Sequence, residues 1–298
     1  MKKIIWLVVI VLLAVGGYFI FKNFSDNAVV VNTPPEEQNT NATTTKEQKM
    51  GETVIGKSVQ GRDITAYRYG AGSAEILFVG GIHGGYEWNT TLVAYELVNY
   101  LKENPNVIPN NLKVTVIPVL NPDGLNKVVG TSIGNFSQAN VSSSQATVIA
   151  GRFNANNVDL NRNFDCDWQA VGKWQNKTVS GGNTVFSEPE SLAIKNYVET
   201  NKPKAVVVWY SSAGGVYASS CHNGVSAETN TLTKTYADAS GYPAYQSFDF
   251  YTITGDMVNW LAKNNIPAIS VLLTNHTDIE WAKNQKGAEA LLKYYGSK

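Results

Sequence analysis

The stretch EILFVGGIHGGYEWNT, residues 75–90, decides the fold. Glu75 to Val79 form a short apolar run of strand length. Gly80, Gly81, Gly84 and Gly85 then supply a tight turn, and Leu92, Val93, Tyr95, Glu96, Leu97 and Leu101 mark an amphipathic helix after it. A strand feeding a helix through glycines predicts an α/β layer, and the rest of the chain repeats the alternation. Lys113 to Leu120 (KVTVIPVL), Ala205 to Tyr210 (AVVVWY) and Ala268 to Leu273 (AISVLL) read as further strands. The last two are so rich in apolar and β-branched residues that both of their faces are expected to be covered. Helices are predicted from Glu188 to about Glu199, Asn230 to Ala239, Gly255 to Lys263 and Ile279 to Tyr295. The alternation implies an α/β fold with a mixed, largely parallel sheet and helices on both faces. In such folds ligands bind at the carboxyl ends of strands, so the informative residues should follow the strand runs.

Outside this region the sequence changes character. Lys2 and Lys3 precede an uninterrupted apolar or glycine run from Ile4 to Phe21, close to the roughly 20 residues a membrane-crossing helix needs. The run lacks a small-x-small cleavage site after it, which favours an uncleaved signal anchor (residues 1–24) over a secretory peptide removed on export. The charge distribution keeps the start cytoplasmic and places the rest of this single-pass chain outside. Residues 25–50 are dominated by Asn, Thr, Glu, Gln and Pro and read as a flexible polar linker. Residues 51–298 then form the one large domain.

Composition narrows the partners. Of 298 residues, 24 are Lys or Arg and 24 are Asp or Glu, so balanced charge gives no electrostatic case for nucleic acid. With 43% hydrophobic residues there is ample apolar surface for a large core. Cys166 and Cys221 are the only cysteines. Outside the cytoplasm such a pair reads as a disulfide, two reduced buried thiols being the alternative.

The polar motifs fall where the strands end. His83 and Glu87 occupy the glycine turn, and imidazole nitrogen and carboxylate oxygen are zinc-type ligands. On their own they are equally a turn histidine and a first-turn glutamate placed for the helix dipole. Asn121 to Gly124 (NPDG) is a turn signal. Residues 151–164, GRFNANNVDLNRNF, carry Arg152 and Arg162 in a polar loop. Two such guanidinium groups suit bidentate recognition of a carboxylate, or they brace loops.

Taken in order, Gly61 and Arg62, GGIHGGYE, NPDG, VDLNRNF, WYSSAGG, the Tyr251 to Trp260 segment and the last strand with its Thr274, Asn275, His276 tail resemble the zinc metallocarboxypeptidases of the carboxypeptidase A type. The resemblance spans nearly all of residues 51–298. It implies an eight-stranded mixed sheet flanked by helices, a zinc cofactor, and hydrolysis of C-terminal residues from peptides. It makes His83 and Glu87 the first two zinc ligands, with three residues between them where most of the family has two. It makes Asn161 and Arg162 the clamp on the substrate's terminal carboxylate, Arg152 the group polarising the scissile carbonyl, and Tyr251 the phenol that closes over the bound end. Substrate pockets in this family are lined near the position of Val258, which predicts an uncharged pocket.

Two family positions are altered. Ser211 stands where the resemblance expects the third zinc histidine, and Leu272 stands where it expects the catalytic glutamate. A neutral hydroxyl is a poor zinc ligand, and leucine can neither take nor give a proton. His222 and His276, the other histidines, read as a loop residue and a tail residue. The expectation is a degenerate carboxypeptidase that binds peptides or proteins with a free C-terminal carboxylate, cell-wall peptides among them. The alternatives are an active metallopeptidase whose zinc is held by His83, Glu87 and a carboxylate such as Asp256 or Asp165, and a structural ectodomain in which the arginines only brace loops.

Overall fold

The computed structural model describes residues 51–298. The predicted signal anchor and linker lie outside the described residues. No helix among the described residues is long and apolar enough to cross a membrane. In chain order the elements are β1 (Gly51–Lys57), β2 (Asp63–Tyr69), β3 (Ala74–Val79), α1 (Trp88–Glu103), β4 (Leu112–Ile117), α2 (Pro122–Val129), α3 (Gln145–Ala150), β5 (Val171–Trp174), β6 (Lys177–Ser180), α4 (Pro189–Asn201), β7 (Ala205–Ser211), β8 (Gly215–Ala218), α5 (Ala227–Ser240), β9 (Ala244–Tyr245), α6 (Met257–Lys263), β10 (Ala268–Leu273) and α7 (Trp281–Gly296).

Eight strands form one mixed sheet in the order β1-β2-β4-β3-β7-β10-β8-β9. The run β4-β3-β7-β10 is parallel, as is β8-β9, while β1-β2, β2-β4 and β10-β8 are antiparallel. Every residue of β7 and β10 is buried, as their unbroken apolar runs require of strands covered on both faces. One face of the sheet presents Phe78, Val207, Trp209, Val271 and Leu273 to Val93 and Leu97 of α1, Leu232 and Tyr236 of α5, and Leu291 and Leu292 of α7. The other presents Leu77, Val79, Val206, Val208, Tyr210 and Leu272 to Ile194 and Val198 of α4 and Trp260 and Leu261 of α6.

Several boundaries differ from the sequence expectation for identifiable reasons. The strand predicted over 113–120 ends at Ile117, immediately before Pro118, which has no N–H to give the ladder. The NPDG motif is the start of α2 rather than an isolated turn. Asn121 Oδ1 accepts from the Gly124 N–H at 2.8 Å, and Pro122 sits at the first helical position, where its missing N–H costs nothing. α6 begins at Met257, slightly later than expected, because the side chain of Asp256 caps it by accepting from the Asn259 N–H at 2.9 Å. The antiparallel hairpin β5-β6 was not legible at all, since VGKW and KTVS are too short and polar to stand out.

Candidate functional site

The parallel strands β3, β7 and β10 end at the same edge, and a cavity of about 1140 Å³ opens there. After β3 the glycine turn delivers His83 and Glu87. Gly84 has φ +46°, and a Cβ there would come within 2.7 Å of the Gly151 carbonyl oxygen, so only glycine lets the turn close on the neighbouring loop. Residues Gly84–Glu87 form one 3₁₀ turn, which absorbs the three-residue spacing. His83 Nδ1 stands 3.0 Å from Glu87 Oε1 as a result.

The loop before β5 supplies the next shell of groups. His83 Nε2 lies 3.4 Å from Asp159 Oδ1, and Arg152 Nε donates to Asp159 Oδ2 at 2.9 Å. Burial opposes ionisation of Asp159, but Arg152 and His83 outweigh it and hold the carboxyl well below the usual range. Asp159 thus fixes the histidine ring on one side and the arginine on the other. The Arg152 guanidinium also lies against two aromatic rings, 4.5 Å from the centre of Trp174 and 5.8 Å from that of Tyr86. Trp174 comes from the β5-β6 hairpin.

Arg162 is anchored through two backbone carbonyls, with Nε donating to Lys173 O at 2.9 Å and Nη1 to Asn161 O at 2.6 Å. Its neighbour Asn161 donates from Nδ2 to Asp256 Oδ2 at 2.9 Å and accepts at Oδ1 from the Met257 N–H and the Tyr210 hydroxyl. Among the described residues, Arg152 and Arg162 each leave one buried guanidinium nitrogen, Nη2, with no hydrogen-bond partner in the protein. Both residues line the cavity, as does Tyr251, whose ring centre is 5.9 Å from the Arg162 guanidinium. Burial pushes the Tyr251 phenol up, against the pull of the two arginines, so it is a neutral donor at ordinary pH.

On β7 the residue that faces His83 is Tyr210, one position earlier than the Ser211 expected there. The physical reason is strand alternation: Tyr210 shares its face of the sheet with Leu272, its register partner on β10, and its ring centre is 5.6 Å from that of His83. Burial holds its hydroxyl well above the ordinary phenol range, so it is a neutral group. Ser211 turns the other way. Its hydroxyl meets Asn89 Oδ1 at 3.2 Å and His276 Nδ1 at 2.7 Å, while Asn89 Nδ2 donates to the carbonyls of Asn275 and Asp278. His276, read from sequence as a tail residue, therefore lines the cavity, with its ring 4.7 Å from that of Tyr86. Burial lowers its pKa, with Glu87 opposing.

The donors for a metal are incomplete. Both ring nitrogens of His83 and Glu87 Oε2 are buried without a well-formed hydrogen bond, as suits two ligands of an ion, and Asp159 orients the ring as carboxylates orient zinc-bound histidines. A catalytic zinc normally takes three protein donors. The third direction here meets a neutral phenol, and the position opposite it is Leu272. The carboxylates considered as substitutes are engaged elsewhere: Asp165 meets Lys263 at 2.9 Å on the surface, and both oxygens of Asp256 already accept hydrogen bonds. Cys166, Cys221 and His222 also come close enough to surround an ion, but the two sulfurs form a disulfide and offer no thiolate.

That disulfide stiffens the cavity wall. Cys166 O accepts from the Gly255 N–H at 2.7 Å, and Gly255 O accepts from the Phe164 N–H at 3.0 Å, so the bridge, the loop after Arg162 and the approach to Asp256 are one unit. Asp159 and Tyr210 were missed from sequence although each had a signal. Asp159 lies inside VDLNRNF, and alternation along AVVVWYS puts Tyr210 rather than Ser211 in phase with Val206 and Val208.

A family model described as zinc carboxypeptidase matches residues 37–285. Gamma-D-glutamyl-L-diamino acid endopeptidase 1 of Lysinibacillus sphaericus is 26% identical over 218 residues, covering 67% of this chain and 54% of that protein. The chain thus spans about half the length of that curated relative. Among solved structures, murein-tripeptide amidase MpaA from Escherichia coli O157 superposes with a TM-score of 0.55 at 20% identity, covering 82% of this chain and 92% of that one. Carboxypeptidase A from Helicoverpa armigera gives 0.62 at 18% identity, covering 83% and 67%.

Proposed function

The chain belongs to the zinc carboxypeptidase family, and from that premise we propose that it binds the free C-terminal carboxylate of peptides without hydrolysing them. The observation that carries this reading is the pair of buried, unpartnered nitrogens, Arg152 Nη2 and Arg162 Nη2, on the wall of one cavity. A buried guanidinium N–H without an acceptor is costly, and an incoming carboxylate relieves it with charge-assisted bonds. Asn161 offers its remaining amide N–H and Tyr251 its hydroxyl from the side. Hydrolysis is lost because Tyr210 and Leu272 stand where a third nitrogen donor and a proton-transferring carboxylate are needed. His83 and Glu87 would hold whatever metal enters, and zinc there would polarise a carbonyl; two donors are too few to retain it at ordinary zinc levels.

The names of the similar proteins suggest the kind of peptide. One is an endopeptidase of γ-D-glutamyl diamino acid bonds and another an amidase of murein tripeptide. We read the ligand as a cell-wall peptide, met by a domain that the apolar N-terminal run holds outside the cytoplasm on the linker of residues 25–50. The test is fluorescence anisotropy of one labelled peptide with a free and with an amidated C-terminus. The free acid should bind about 10- to 100-fold more tightly, the worth of a buried charge-assisted contact. Equal affinity, or no binding of either, would leave the arginines as braces between loops.

A further inference from the structure

Val258 lines the cavity, but Asp256 stands there too, so the wall is not the uncharged one expected from sequence. The segment before Asp256 leads to a second group of donors, which the carboxylate clamp does not use. The Gly255 N–H donates to Cys166 O at 2.7 Å, and Cys166 is bridged to Cys221, the residue after the cavity-lining Ser220. The bridge therefore ties together two stretches of the cavity wall.

A histidine and a carboxylate stand beside this bridge. A ring nitrogen of His222 and the two sulfurs all lie within 4.8 Å of one another. His222 takes φ +64°, an uncommon conformation for a residue with a Cβ. Asp167 Oδ1 lies 3.0 Å from His222 Nε2, and Asp167 Oδ2 lies 3.9 Å from Cys166 Sγ. The two cysteines are buried while His222 and Asp167 are exposed, so the cluster sits at the surface, within reach of a small reductant or an ion.

Bonded to each other, the sulfurs are not ligands, and reduction changes that. A dithiol reductant attacks one sulfur as its thiolate and forms a mixed disulfide, from which its second thiol displaces the cysteine. Two electrons and two protons pass to Cys166 and Cys221, and the reductant ends as its own disulfide. A divalent ion that binds the product releases both thiol protons to solvent, because thiolate is the ligand form. Two thiolates, a neutral imidazole and a divalent ion sum to no net charge, which removes the main cost of burying the sulfurs as anions. A tetrahedral ion holds each sulfur at about 2.3 Å and so sets the pair about 3.8 Å apart. The two Cα atoms are 6.2 Å apart, and side-chain rotation reaches that separation without moving the backbone. Two sulfurs and a nitrogen suit zinc or cobalt rather than magnesium or calcium. Asp167 holds the ring as carboxylates hold metal-bound histidines.

From this we infer that Cys166, Cys221 and His222 form a redox-controlled site for a zinc-type ion, closed while the disulfide is intact and open once it is reduced. The ion then ties the same two stretches of wall in place of the covalent bond. The site stands apart from the carboxylate clamp and from the pair His83 and Glu87.

The test is a cobalt titration of the full-length chain, with the disulfide intact and after anaerobic reduction by a phosphine, which is then removed. Bound thiolate gives cobalt a charge-transfer band in the near ultraviolet, and four-coordinate geometry gives intense visible bands. The reduced chain should take up about one cobalt per chain with both signatures and yield it to zinc, while keeping the circular dichroism of the oxidised chain. The oxidised chain should show neither band. His222→Ala should weaken cobalt binding by more than about 100-fold, and Asp167→Asn, which loses only the group that orients the ring, by about 10-fold. Zinc should raise the thermal unfolding midpoint of the reduced chain and leave that of the oxidised chain unchanged. No charge-transfer band after reduction, an affinity unmoved by His222→Ala, or loss of the native circular dichroism on reduction would overturn the site.

Discussion

The two walls of the cavity offer a ligand different chemistry. The wall built by residues 152–162 is a connected polar network: Asp159 ties Arg152 to His83, the Asn161 side chain is held by three partners, and each arginine keeps one nitrogen free. The wall built by the ends of β7 and β10 holds Tyr210 and Leu272, which can bind neither metal nor proton well. Both side chains fill space with apolar or neutral atoms and pack into the same hydrophobic cluster. The comparison teaches that recognition and chemistry are separable in this architecture. A carboxylate clamp needs only oriented guanidinium groups, whereas hydrolysis also needs a complete ligand set and a base.

The largest effect should come from removing the charge that anchors the intact wall. Arg152→Met leaves the buried Asp159 without its guanidinium partner and with only the His83 ring against it, and stability measured by urea unfolding should fall by about 3–5 kcal/mol. Arg162→Met does not strand a buried anion, so it should fold; it should weaken binding of a free-acid peptide by about 10- to 100-fold in the anisotropy assay while leaving the amidated peptide unaffected. If both variants unfold alike, the two arginines are braces and the contrast between the walls disappears.

Acid sharpens the same comparison. Because the folded-state pKa of Asp159 is held below its unfolded value of about 3.9, its contribution is fully present above that pH and is lost as pH falls toward the folded value. Asp256 has the opposite sign. Its folded pKa is raised, so its favourable contribution is present below about pH 3.9 and is lost as pH rises through the folded value. Thermal unfolding between about pH 2.5 and pH 7 should show Asp159→Asn with a flatter acid limb than the parent. Asp256→Asn, the smallest effect, should match the parent within about 1 kcal/mol at pH 7 or exceed it, since it removes a buried unpaired charge and keeps the cap.

Sequence made the scaffold legible where patterns were long and buried. The four central strands came from unbroken apolar runs, and the helices between them from helical spacing such as that of Val93, Leu97 and Leu101 in α1; the motifs indeed follow those strands. The edges were invisible because β8 and β9 have four and two residues and borrow their order from neighbours. Within the site, motif position brought His83, Glu87, Arg152, Asn161, Arg162 and Tyr251 to one cavity. What linear reading misjudged was direction. Whether Tyr210 or Ser211 faces His83 depends on the phase of β7, and whether His276 reaches the site depends on Asn89 holding the loop carbonyls of Asn275 and Asp278.

The central claim is that the catalytic wall is disabled at Tyr210 and Leu272. Zinc content after dialysis against micromolar zinc tests it most directly, compared across the parent, a Tyr210→His, Leu272→Glu double variant and a Ser211→His, Leu272→Glu double variant. The account predicts essentially no zinc in the parent, about one ion per chain in the first variant and none in the second, since only position 210 completes a three-donor set with His83 and Glu87. Stoichiometric zinc in the parent, or its restoration through position 211 instead of 210, would contradict it.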